Sequence, residues 1–105
     1  MTTTDIGALS DFDNGGAKQV KLGDRTLVVV RIEEDVYVLD DRCSHEDFSL
    51  AEGIVDIANC EIECARHGAM FSLKDGAPMS FPATKPVAHY DVAVTNGRVE
   101  LCHKV

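Results

Sequence analysis

Apolar residues in this chain recur with period two rather than with the 3.6-residue period of a helix, in short runs separated by two-residue connectors. Gln19 to Leu22 leads through Gly23-Asp24 into Arg25 to Ile32, and Glu33-Glu34 then leads into Asp35 to Asp40. Glycine at the first central position suits a type II′ hairpin turn, so Gly23-Asp24 predicts a hairpin. Near the end, His89 to Thr95 and Arg98 to Leu101 flank Asn96-Gly97, the preferred type I′ pair because both residues tolerate positive φ. In the first of these strands Tyr90, Val92 and Val94 fall on one face and His89, Asp91 and Thr95 on the other. Leu27-Val28-Val29-Val30 is different, being apolar on both faces. Such a strand must be covered on two sides, as in a sandwich or small barrel.

The stretch from about 41 to 86 breaks the pattern. It is rich in turn formers and holds all three prolines, Pro78, Pro82 and Pro86. Ser80-Phe81-Pro82-Ala83 reads as a stiffened loop. Glu61-Ile62-Glu63 alternates, with Cys60, Ile62 and Cys64 on one face, so a short strand feeds the residues after it. The expected architecture is one all-β domain of 105 residues. A β base, about 5–40 and 87–102, carries an inserted loop-rich subdomain over about 41–86. Twelve of the 28 Leu, Ile, Val and Phe residues are valine, which suits a pleated, half-buried surface.

The chemistry lies in two knuckles inside that stretch. Cys43-Ser44-His45 and Cys64-Ala65-Arg66-His67 each offer one thiolate and one imidazole, eighteen residues apart. Zinc sites commonly pair Cys with Cys and His with His. One Cys and one His per loop is what a [2Fe–2S] centre with two Cys on one iron and two His on the other requires, because each loop then supplies one ligand to each metal. A structural zinc site on the same four residues is the competing reading. Cys60 shares a face with Ile62 and reads as a small buried hydrophobe. A four-cysteine plant-type cluster lacks its C-x₄-C-x₂-C run. Cys102 and His103 are expected on a frayed tail without a role. His89 is expected to be a solvated side chain. Arg66 can face a partner or offset a nearby carboxylate, and Phe48, Phe71 and Phe81 can shield a cluster or simply fill a core.

A net charge of −8 speaks against nucleic acid, which needs clustered Lys and Arg, and favours a soluble protein; a partner with a basic docking face and plain solubility are the two readings of the acidic surface. No basic segment followed by an apolar run opens the chain, and no apolar run is long enough to span a bilayer. The expectation is therefore a cytoplasmic protein without membrane attachment, in a compartment where cysteines read as metal ligands rather than disulfides.

On Cys43-Ser44-His45, Cys64-Ala65-Arg66-His67-Gly68 and the proline loop around Pro82, nearly the whole chain resembles the bacterial Rieske-type ferredoxins, the small carriers of multicomponent oxygenases. The resemblance implies a β-sandwich base, a cluster-binding subdomain with the His-ligated iron nearest the surface, and the proline loop as a third wall. It also implies Cys43, His45, Cys64 and His67 as cluster ligands. The implied function is one-electron transfer from a flavin-containing reductase to a terminal iron oxygenase, by a monomer that is not itself an enzyme. Service in iron–sulfur assembly or redox homeostasis and a zinc-stabilised interaction module are the alternatives. The departures are specific. The spacer between the knuckles is slightly long, near Ile57-Ala58-Asn59. Phe48 and Arg66 stand where high-potential relatives have a disulfide, and Ala69 and Phe71 stand where those relatives have a Ser and a Tyr.

Charge counting turns these departures into a potential. Two ferric ions, two sulfides and two thiolates sum to roughly zero, against about −2 with four thiolates, so imidazole ligation eases reduction. Losing the Ser and Tyr hydroxyls removes donors to the sulfurs, and Asp40, Asp41, Glu46, Asp47 and Glu52 add an opposing field around the first knuckle. The expected potential is about −150 mV, at the low end of the range for such centres. It should fall with pH in the alkaline range, because reduction raises the pKa of the imidazoles. Voltammetry giving a value above about +100 mV contradicts this account.

Overall fold

The computed structural model describes residues 2–23, 25–41, 49–64, 68–79 and 86–103. They form ten strands in three antiparallel sheets, with single 3₁₀ turns at Leu9–Asp11 and Leu50–Glu52. The central sheet contains β2 (Ala17–Leu22), β3 (Arg25–Ile32), β4 (Asp35–Asp40) and β8 (His89–Tyr90), in that order. On one side lies the sheet of β1 (Thr2–Ala8), β10 (Arg98–His103) and β9 (Val92–Thr95). On the other lies that of β5 (Ile54–Asp56), β6 (Glu61–Glu63) and β7 (Met70–Ser72).

β3 explains this layering. Leu27, Val28, Val29 and Val30 are all fully buried. The pleat sends Val28 and Val30 into one core with Leu39, Leu50, Ile62, Cys64, Ala69, Phe71, Leu73 and Val87. It sends Leu27 and Val29 into a second core with Phe12, Val38, Val99 and Leu101. The strand that the sequence required to be covered twice is thus the wall between two cores.

The turns follow their chemistry. Asn96 and Gly97 have φ of 52° and 74°, as a type I′ turn needs. Gly23 has φ 64°, positive as expected, whereas Asp24 lies outside the described residues. Glu33 also takes positive φ, 57°, and its amide donates to Asn14 Oδ1 at 2.7 Å.

Two expectations change. The run His89 to Thr95 is two strands rather than one. β8 pairs with β4, Asp91 stands outside both, and β9 pairs with β10 in another sheet. A strand that switches sheets makes the corner of a sandwich, and period-two alternation continues across such a corner unaltered. Cys102 and His103 do not lie on a frayed tail either. β10 continues past Leu101 because β1 lies beside it, pairing Thr3 with Cys102 and Thr2 with His103. The Cys102 amide also donates to the Asp91 carbonyl at 2.8 Å. β1, a Thr-rich stretch with little apolar alternation, finds its partner only through the far end of the chain.

Leu27→Ala, at the wall between the cores, is expected to cost about 2–5 kcal/mol in urea unfolding. Val94→Ala, on a side chain 40% exposed, should stay within about 0.5 kcal/mol of the parent. Equal losses at both positions would contradict the two-core arrangement.

Candidate metal centre

Of the four proposed ligands, Cys64 is described, and Cys43, His45 and His67 lie outside the described residues. Cys64 follows β6 directly and is fully buried beside Leu50, Ile62, Ala69 and Phe71. Its amide donates to the Ala69 carbonyl at 2.7 Å, and the Gly68 amide donates to its carbonyl at 2.9 Å. These bonds close a hairpin whose loop is only residues 65–67. Gly68, with φ 71°, returns the chain into β7, a conformation that suits glycine. The expected short strand before the second knuckle is β6, and Ile62 and Cys64 share its buried face.

The first knuckle's flanks are fixed as firmly. Asp41, 7% exposed, is the buried charged residue among the described core. Its Oδ2 accepts from Gln19 Nε2 and from Ser49 Oγ, both at 2.6 Å, and its Oδ1 accepts from the Ala51 amide at 2.7 Å. Its own amide donates to the Thr26 carbonyl at 3.0 Å. Residue 41 and residues 49–51 are therefore tied together across segment 42–48. Sequence reading took Asp41 only as one of five acids whose field surrounds the first knuckle. The signal it passed over is a short polar side chain at each end of one loop. Gln19 could not be found that way, because strand pairing brings it over from 22 positions away.

The described residues that flank the two knuckles and the proline segment share one core. Leu39 before the first segment, Leu50 after it, Cys64 and Ala69 around the second, and Val87 after the third belong to the same apolar cluster. Backbone contact is tight enough to demand glycine. A Cβ on Gly53 would overlap the Glu63 carbonyl oxygen, and one on Gly76 would overlap that of Val87. The Met79 amide donates to Met70 O at 2.7 Å and the Val87 amide to Gly76 O at 2.9 Å, fixing the chain on both sides of segment 80–85. The expected loop at Ser80-Phe81-Pro82-Ala83 lies outside the described residues, as do Phe48, Arg66, Glu46 and Asp47.

The remaining candidates resolve into structure. Cys60 is half-buried against the core, and its thiol is hydrogen-bonded to the Tyr37 hydroxyl, which that contact and burial push up to about 12. His89 is exposed. Asp40 does not point free into solvent, since its Oδ1 accepts from the Tyr90 hydroxyl at 2.6 Å. Ala58 and Asn59, where the spacer runs long, turn the chain between β5 and β6. There Asn59 donates through its amide and side chain to Asp56, holding that carboxyl below its usual range. Phe71 is a core residue touching the same cluster as Cys64.

On the rim beside Cys64, Ile54 pairs with Glu63 and Glu63 with Met70, all on the face opposite Ile62. Ile54 is 66% exposed and Met79, joined to Met70 by its amide, 54%. β5, β6 and β7 carry Asp56, Glu61 and Glu63 and no Lys or Arg. The rim is apolar and acidic.

The described residues form a small antiparallel β frame with a buried cysteine directly before segment 65–67, and the chain flanking segments 42–48 and 80–85 packs in the same core. The donor set of thiolates and imidazoles fits iron–sulfur ligation. Residues 2–91 match the Rieske [2Fe–2S] domain model, and the chain belongs to that family. It is 31% identical over 96 residues to the anthranilate 1,2-dioxygenase ferredoxin subunit of Burkholderia cepacia, covering 91% of this chain and 87% of that one. Its fold superposes on the ferredoxin of carbazole 1,9a-dioxygenase from Nocardioides aromaticivorans IC177 with a TM-score of 0.94, at 29% identity over 99% of this chain and 100% of that chain. It also matches a chain in the complex of reduced oxygenase and oxidized ferredoxin in carbazole 1,9a-dioxygenase. There the TM-score is 0.86 and the identity 34%, over 94% and 91% of the two chains.

The chain is accordingly an all-β Rieske ferredoxin that carries a [2Fe–2S] cluster and transfers electrons rather than catalysing a reaction of its own. Membership decides between the iron–sulfur and zinc readings in favour of the former. Among the described residues no helix is long and apolar enough to cross a membrane.

Gly53→Ala separates steric from conformational demand. Gly53 has φ −84°, which alanine adopts readily, so chain entropy alone would stabilise the variant by about 0.4–1 kcal/mol. The overlap with Glu63 predicts instead a loss of about 1–3 kcal/mol in urea unfolding.

Proposed function

We propose that Cys43, His45, Cys64 and His67 hold the [2Fe–2S] cluster, with the two thiolates on one iron and the two imidazoles on the other. The chain then takes one electron from a flavin-containing reductase and delivers it to a terminal iron oxygenase. The observation that carries the reading is the knuckle at Cys64. A fully buried thiol sits at the base of a loop three residues long, and His67 is the last residue of that loop before Gly68. The first knuckle repeats the Cys-and-His pattern, and its flanking Leu50 packs in the same cluster as Cys64. Residues 41–86 act as the cluster-binding subdomain of a base formed by about 5–40 and 87–102, a division supported by a third sheet that falls wholly within residues 54–72.

The bound cluster supplies a site that gains and loses one electron without an open coordination position. The chain's own residues do the rest. The core beneath Cys64 keeps water from the thiolate side, and the hairpin and the Asp41 ties restrain the loops, so little rearrangement accompanies transfer. The apolar and acidic rim at Ile54, Glu63, Met70 and Met79 suits a docking face with apolar and basic residues. Curated relatives bear the names of dioxygenase ferredoxin subunits, and one similar chain was solved in a complex with its oxygenase. Both favour an oxygenase as acceptor over service in cluster assembly. The flavin reductase, a cytoplasmic location and a monomeric state complete the reading.

The purified chain is expected to contain two irons and two sulfides and to give a Rieske-type EPR signal on reduction. His45→Cys and His67→Cys should each move that signal toward the all-thiolate type and lower the potential, because a neutral ligand is replaced by an anionic one. A native signal that survives either exchange would remove that histidine from the ligand set.

A further inference from the structure

We propose that Asp41 is a positioning residue for the cluster, tying the first knuckle shut and, through its fixed negative charge, holding the reduction potential down. The inference rests on the reading that Cys43 and His45 are ligands, and it adds a residue that none of the four-ligand chemistry requires. Three facts carry it. The carboxylate is buried, with the residue 7% exposed. It bridges the two ends of the knuckle, since Asp41 precedes segment 42–48 while its donors Ser49 Oγ and the Ala51 amide follow it. Its third donor, Gln19 Nε2, comes from β2 and anchors the tie to the central sheet.

Among the described residues all three donors are neutral. A carboxylate so bound is well solvated by dipoles, but no described cation cancels its charge. It stands two positions before Cys43 in sequence and in a water-poor setting, where a charge acts over a longer range than at the surface. Its field opposes the arrival of an electron. The dipoles of Gln19 and Ser49 point their positive ends at the carboxylate and partly offset that field. Removing the charge and removing the dipoles must therefore move the potential in opposite directions.

Asparagine at position 41 separates the tie from the charge. Its Oδ1 can still accept from the Ala51 amide. Its Nδ2 can donate to a Gln19 amide turned over to present its oxygen, and to the Ser49 hydroxyl, which accepts as readily as it donates. The experiment measures midpoint potential, EPR line shape and the rate of iron loss to a chelator for the native holoprotein and for Asp41→Asn, Asp41→Ala, Ser49→Ala and Gln19→Leu. Asp41→Asn should keep the native line shape and raise the potential by the equivalent of about threefold to tenfold in the equilibrium constant for reduction, tenfold being about 59 mV for one electron. Ser49→Ala and Gln19→Leu should lower it. Asp41→Ala, with no acceptor left, should lose iron several-fold faster than Asp41→Asn.

An unmoved potential in Asp41→Asn overturns the proposal, as does a rise in Ser49→Ala. If Asp41→Asn does not retain the cluster, the other two donors decide, and unchanged potentials in both Ser49→Ala and Gln19→Leu overturn it. Failure of the underlying ligand reading looks different, because it shows in the native signal and in His45→Cys before any Asp41 variant is compared.

Discussion

Burial of one strand on both faces governs this molecule. β3 places four consecutive apolar side chains, Leu27 to Val30, entirely out of water, alternately up and down. Neither face can be left open without exposing two large aliphatic groups, so a layer has to form on each side. On one face the sheet made from the chain's two ends supplies Val99 and Leu101. On the other the small sheet around β6 supplies Ile62 and Phe71. The cores are separate in their contents but share this wall, and the residues flanking the proposed ligand segments pack in the core that holds Ile62 and Phe71.

That shared root fixes the chain on both sides of the proposed ligand segments. A cluster ligand on a free loop would need ordering each time the charge changes, at an entropic cost of about 1–2 kcal/mol per residue fixed. Here Asp41 is bonded to Ser49 and Ala51 across segment 42–48, Cys64 is bonded to Gly68 and Ala69 across segment 65–67, and the chain on either side of the third segment is bonded to β7 and the turn after it. Gly53 and Gly76 permit backbone to lie directly on backbone where these pieces meet.

Charge is distributed with the same economy. The two described acids that directly precede the first knuckle are tied rather than loose, with Asp40 bound by Tyr90 and Asp41 by three donors. The acids on the outer face of β5–β7 remain exposed enough to meet a partner. One net charge of −8 thus serves two ends. The buried Asp41 carboxylate ties the chain on either side of segment 42–48, and the half-exposed acids of β5–β7 leave a negative face toward solvent.

The sequence by itself determined the all-β class, the doubly buried strand, the Asn96-Gly97 hairpin, the short strand into the second knuckle and the two Cys-and-His knuckles. Each of these is local, set by a side-chain period of two, by turn residues that accept positive φ, or by ligand atoms a few positions apart. Only the tertiary structure decided the rest. It divided His89–Thr95 between two sheets at Asp91, since a corner leaves the alternation intact. It gave Cys102 a place in a strand, because the partner that orders it lies at the other end of the chain. It turned Asp41 from one acid among several into the knot of the first loop, because Gln19 reaches it only through strand pairing. Pairings between distant segments depend on packing against common neighbours, and no short window of residues records that.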